Sequence, residues 1–254
     1  MSVDLSAPEF VKRLKTHASP EQRAKYEATL KSSAADEFFG VRMGLVFALA
    51  KEFIDLPVDE IEALLDSSVH EVRAGALSIM DKAARRKQTP DAERRALYDL
   101  YMGRIDRIDN WDLVDLGCPY VVGSYLYDKP RAVLYALARS NNTWERRTAI
   151  VSTLYFVRQG DVADTFTIAE LLLGDGEDLI HKATGGLLRE AGKKDRQRLL
   201  TFLDAHAAVM PRVALRYAIE HLDPAQRDHY LSLRAAAKRS SASVSKGARR
   251  AKFT

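Results

Sequence analysis

Apolar residues recur at three- and four-residue spacings along almost the whole chain, the period at which side chains return to one face of an α-helix. The pattern predicts amphipathic helices over residues 41–53, 69–84, 91–104, 113–127, 143–158, 163–173, 177–191 and 210–222. Short breaks separate them at Leu56-Pro57, Thr89-Pro90, Lys129-Pro130, Gly160-Asp161, Gly174 to Gly176 and Asp223-Pro224. Several of these breaks place Thr or Asp ahead of Pro or an apolar run, as a helix start requires. No stretch alternates with the two-residue period of a strand, so the expected fold class is all-α.

The helices also repeat weakly. Gly40 to Leu45, His70 to Leu77, Trp144 to Ile150, Ile180 to Leu187 and Met210 to Leu215 each carry a basic residue, then small residues, then aliphatics. The basic positions Arg42, Arg73, Arg147, Lys182 and Arg212 are 31, 74, 35 and 30 residues apart, and the gap of 74 leaves room for one divergent unit. A period in the thirties made of helix pairs predicts a HEAT-like α-α superhelical solenoid with a concave face. The recurrent cation falls near the start of one helix in each pair. Such a stripe could follow a phosphate backbone; alternatively, each cation could be a structural residue paired with an acidic neighbour.

Charge distribution divides the chain. Of 39 basic residues, seven lie from Arg234 to Thr254, where no acidic residue occurs; the remaining 32 face 35 acidic side chains over residues 1–233. We therefore expect a single helical domain at 1–233 and a basic tail at 234–254. The tail has too little apolar bulk to offset its ordering entropy, and it serves either to grip nucleic acid or to solubilise the chain. No run of 18 apolar residues occurs and Met1 to Phe10 lacks an apolar leader, so neither a membrane span nor secretion is expected. The single cysteine, Cys118, excludes an internal disulfide and fits a reducing cytoplasm. It sits in an apolar stretch suited to packing. None of the six histidines has convincing metal-ligand spacing.

The divergent unit contains Asn110-Trp111-Asp112-Leu113-Val114-Asp115. On a helix, Trp111 and Asp115 stand one turn apart on one face. An indole beside a carboxylate could be a core residue beside a cap, or a site that packs on a sugar and stabilises positive charge. Together with Trp144 to Ala149 and His181 to Glu190, in that order and spacing, this block resembles the AlkD-like DNA alkylation repair proteins, HEAT-like solenoid DNA glycosylases. The resemblance covers roughly residues 40–222.

The resemblance implies that Trp111 packs on the deoxyribose of a damaged nucleotide and Asp115 is the catalytic carboxylate. It implies that Arg147 contacts backbone phosphate, with Lys182 and Arg189 as auxiliary contacts; Arg73 and Arg42 extend the stripe. The implied activity is excision of cationic N3- or N7-alkylated purines from double-stranded DNA by hydrolysis of the N-glycosidic bond, without base flipping. No metal or organic cofactor is implied, and a nucleoid-associated monomer in the cytoplasm is expected. The chain departs from the family at Gly186, where well-known members carry a second sugar-packing Trp. Tyr26 and Phe39 are candidate N-terminal aromatics. The rival reading is a HEAT-type module that binds DNA structure or protein without chemistry.

Overall fold

The computed structural model describes residues 5–30 and 36–233, and among them it is all-helical apart from one isolated bridge between Glu37 and Val69. The basic tail lies outside the described residues. Contacts divide the chain into two compact units, residues 1–133 and 134–254.

The first unit runs α1 (Ala7–Lys15), α2 (Pro20–Thr29), α3 (Met43–Glu52), α4 (Val58–Leu65), α5 (His70–Arg85), α6 (Asp91–Gly103), α7 (Trp111–Cys118) and α8 (Ser124–Leu126), and α9 (Ala132–Leu137) spans the division. The second holds α10 (Thr143–Arg158), α11 (Ala163–Leu171), α12 (Asp178–Lys194), α13 (Arg196–His206) and α14 (Arg212–Ala218). Helices α1, α2, α4, α9 and α13 add to the eight read from periodicity. They are short, and α2 buries none of its residues, so its sequence carries no apolar stripe.

Helices two apart in the chain pack on one another within each unit: α3 on α5 and α5 on α7, then α10 on α12 and α12 on α14. Each of these carries one of the recurrent basic positions at its N-cap or within its first five residues, except α7, which opens at Trp111. The weak repeat is therefore a repeat of layered helices, as in an α-solenoid.

α5 is the centre of the first unit. Of its 16 residues only Lys82 and Arg85 are not buried. Its first turn gathers two distant segments. The Glu71 carboxylate accepts from the backbone N–H groups of Gly40 (2.7 Å) and Val41 (3.0 Å). The His70 N–H donates to the Glu37 carbonyl at 2.9 Å.

Arg73, 1% exposed, donates to Asp36 at 2.7 Å and to Asp109 at 3.1 Å. Arg73 thus takes the structural alternative for the recurrent cation. A guanidinium enclosed between two carboxylates has no surface left for a phosphate, which corrects its placement in the DNA-facing stripe.

In the second unit α12 packs closely on α14 because Gly185 lacks a side chain. A Cβ at Gly185 would fall 2.3 Å from the Ala214 carbonyl oxygen and 2.7 Å from the Tyr217 Cβ. One residue on, a Cβ at Gly186 would meet nothing within 4 Å.

Two expectations follow from this packing. Gly185→Ala should lower the unfolding free energy by about 1–3 kcal/mol through overpacking against backbone. Gly186→Ala should raise it by about 0.5–1 kcal/mol by removing a helical glycine; urea midpoints of the two variants will therefore move in opposite directions. Arg73→Met should cost about 3–5 kcal/mol, since it strands the buried Asp36 carboxylate. Exposed Lys182→Met should stay within about 0.5 kcal/mol of the parent by the same measurement.

Candidate functional site

The segment Asp109 to Leu113 is a strongly capped helix start. Asn110 has extended backbone and is 1% exposed, and its side-chain oxygen accepts the Trp111 N–H at 2.7 Å. Asp112 accepts the Leu113 N–H at 2.9 Å through one oxygen and contacts His70 Nε2 at 2.8 Å through the other. Leu113 and Val114 are fully buried, so the face of α7 opposite to them is the one left outside.

Trp111 and Asp115 occupy that outer face. Trp111 is 41% exposed and Asp115 is exposed one turn later. An indole held half in solvent at a rigidly capped position is not a core residue, and Asp115 is not the helix cap, which is Asn110.

After Cys118, which is buried, α7 continues into a π-helical turn over Pro119–Gly123 and then α8. Pro119 has no N–H for the helical ladder, and a widened turn accommodates the interruption. Such turns often mark functional sites.

Sequence reasoning missed a second group in this unit. Lys82 and Arg85, the two residues that α5 leaves out of the core, each meet an aromatic ring of a neighbouring helix. Lys82 Nζ lies 5.6 Å from the Phe47 ring of α3, and the Arg85 guanidinium stacks 3.8 Å from the Tyr120 ring in the π-helical turn. Phe47 is 37% exposed, and Lys51, one turn further along α3, is exposed as well. Burial lowers the pKa of Lys82; Asp81 opposes this, while the charges of Arg85 and Lys51 add to it.

Three cations are thus collected beside the exposed Phe47 ring and the half-buried Tyr120 ring, with Arg85 also paired to Asp81 at 2.8 Å, an arrangement suited to a polyanion with stackable or flat groups. The signal in the sequence was the Lys82/Arg85 pair at helical i,i+3 spacing. It stands at the end of α5, whereas the repeat drew attention to the starts of helices.

The remaining predicted positions divide by exposure. Arg42, at the N-cap of α3, is exposed, and so are Lys182 in α12 and Arg212 at the start of α14. Arg147 is 6% exposed and its NH1 donates to the Leu179 carbonyl at 2.6 Å, tying α10 to the first turn of α12. Its neighbour Arg146 pairs with Asp175 at 2.6 Å. Arg189 bridges Glu190, at 3.2 Å, and Glu220. Tyr26 donates its hydroxyl to the Val41 carbonyl at 3.2 Å, and the Phe39 ring lies 5.8 Å from Lys15 Nζ.

Among the described residues no cluster of three or more His, Cys, Asp or Glu side chains could hold a metal ion, and no helix is long and apolar enough to cross a membrane.

The fold has a counterpart among solved structures. A solved structure from Enterococcus faecalis, described as a predicted DNA alkylation repair enzyme, superposes with a TM-score of 0.64 at 21% identity, covering 82% of this chain and 98% of that one. At that identity the likeness shows a shared fold. No curated protein matches the chain. The DNA alkylation repair enzyme family matches residues 10–222, a span that takes in most of α1 and every helix from α2 to α14. On that match, the chain belongs to the DNA alkylation repair enzyme family.

Proposed function

We propose that this protein is a monofunctional DNA glycosylase that hydrolyses the N-glycosidic bond of cationic N3- and N7-alkylated purines in duplex DNA. The observation that carries the reading is the exposed pair Trp111 and Asp115, one turn apart on the outer face of α7, in a unit that also exposes Lys51 and Arg85 beside the half-buried Lys82.

Alkylation at a ring nitrogen makes the base a good leaving group, so its departure needs little acid catalysis. What the reaction lacks is stabilisation of the oxocarbenium-like sugar that remains. The Asp115 carboxylate supplies the opposing charge and orients the attacking water. The face of the Trp111 indole packs on the deoxyribose and attracts the same developing cation.

Arg42, Lys51, Lys82, Arg85 and Lys182 hold phosphates. Arg189 joins them by exchanging Glu220 for a phosphate. Arg147 acts at one remove, fixing the first turn of α12 from which Lys182 projects. Gripping the sugar in this way leaves the lesion in the stack, without base flipping. The enzyme so described needs no metal or organic cofactor, and works as a monomer at the nucleoid.

Gly186 favours a second reading, a DNA-binding module without chemistry, since it presents open space where other members pack a second indole on the sugar. Base release distinguishes the two. Asp115→Asn should slow release of 7-methylguanine from methylated duplex DNA by about 10²–10³-fold, with DNA affinity nearly unchanged, because the carboxylate acts in the transition state. Equal rates in variant and parent would remove Asp115 from the chemistry. No base release by the parent would leave the binding module standing.

The tail contributes a separate expectation. Deleting residues 235–254 should reduce the salt slope of DNA binding by on the order of one unit for each tail cation that meets a phosphate. Single-turnover excision at saturating enzyme should be spared. An unchanged slope would make the tail a solubiliser.

A further inference from the structure

Beneath the exposed face of α7 lies a buried polar cluster that the proposed chemistry does not use. His70 is fully buried, with its Nε2 2.8 Å from Asp112 and its Nδ1 3.8 Å from Asp36. The Phe38 ring packs against it at 5.5 Å between centroids.

Neither His70 Nδ1 nor the facing Asp36 Oδ2 makes a hydrogen bond. Each is the nearest complement of the other, and a neutral imidazole, which carries one N–H, can serve only one of the two carboxylates. An imidazolium serves both. The charged and titratable groups around it are Asp36 from the segment preceding α3, Glu71 and Arg73 from α5, and Asp109 and Asp112 from the start of α7. Tyr26 of α2 is in electrostatic reach of Asp112 and Glu71.

Counted as ions, four carboxylates face one guanidinium unless His70 is protonated. Burial pulls the pKa of His70 down, but the hydrogen bond to Asp112 and the facing Asp36 carboxylate outweigh burial and hold it at about 9. Burial raises the Tyr26 hydroxyl, which therefore stays neutral while His70 titrates.

These contacts end on the catalytic turn. Asp109 and Asp112 flank the cap Asn110 and the exposed Trp111, and α5 holds both of them, one through Arg73 and the other through His70. We propose that His70, as a buried imidazolium bridging Asp36 and Asp112, is a positioning residue that locks the first turn of α7 and so sets Trp111 and Asp115 for excision. The role in excision rests on the glycosylase reading; the locking of the turn does not.

The pH dependence has a definite sign. An unfolded histidine titrates near 6.5 and the folded one at about 9. The bridge therefore stabilises the fold fully below about pH 6.5, progressively less above it, and not at all once pH passes 9.

Trp111 reports on its own turn. The chain has two tryptophans, so Trp144→Phe leaves Trp111 as the sole indole. In that background, acrylamide quenching of Trp111 and single-turnover release of 7-methylguanine are followed from pH 6.5 to 10, and the His70 ring is titrated by NMR. The expected result is a shared midpoint near 9 for ring, quenching and rate.

His70→Gln, which donates to Asp112 but carries no charge, should abolish the quenching transition. It should also lower the excision rate at pH 7 at least ten-fold, with DNA affinity unchanged. A His70 midpoint near 6.5, or Trp111 quenching in His70→Gln that matches the parent at every pH, would overturn the proposal. If His70→Gln fails to fold, agreement of the ring and quenching midpoints in the parent still decides it. If the parent releases no base at any pH, the glycosylase reading falls, and the quenching data alone decide whether His70 locks the turn.

Discussion

The first unit depends on charges it has buried. Arg73 and His70 sit in the first turn of α5 and reach Asp36 on one side and Asp109 and Asp112 on the other. Taking these groups out of water costs free energy that only close pairing returns, so the cluster favours one arrangement of the three segments over its neighbours. An apolar core tolerates small slips; a buried ion network does not. That difference explains why the start of α7 is held by charge, while the rest of the helix is held by Leu113, Val114 and Cys118 in the apolar core.

A surface site gains from such support. Trp111 is exposed, so packing alone cannot orient its indole, and Asp115 is exposed one turn on. Both inherit their positions from the backbone of α7, which the cap Asn110 and the buried carboxylates hold. Precision at an exposed site comes from the layer beneath it. The same logic applies in the second unit. There Arg147 gives its guanidinium to the Leu179 carbonyl and Arg146 to Asp175, while the exposed Lys182 on the helix so fixed remains available to solvent.

The recurrent cations illustrate how far a repeat can be read. Their positions were correct as positions: Arg42, Arg73, Arg147, Lys182 and Arg212 all fall at or near the starts of helices that pack in layers. Their roles diverge because burial differs. Arg73 and Arg147 are enclosed, whereas Arg42, Lys182 and Arg212 face solvent. Lys82 and Arg85 make the opposite case. They belong to a helix buried on nearly all sides, and nothing in the order of polar and apolar residues says that these two emerge while Asp81 and Ser78 beside them do not.

Local chemistry determined a good deal of this protein from its sequence. The 3.6-residue period and the turn residues are properties of short stretches of chain, and they settled eight helical segments and the common face of Trp111 and Asp115, although α7 starts at Trp111 and not at the expected Leu113. Five further helices escaped that reading, among them α2, which buries none of its residues. Tertiary structure alone decided which cations are structural, which emerge beside aromatic rings, and that His70 meets Asp112 from 42 residues away. Those outcomes depend on desolvation and on partners brought from other helices, and neither quantity exists for a residue until the chain has folded around it.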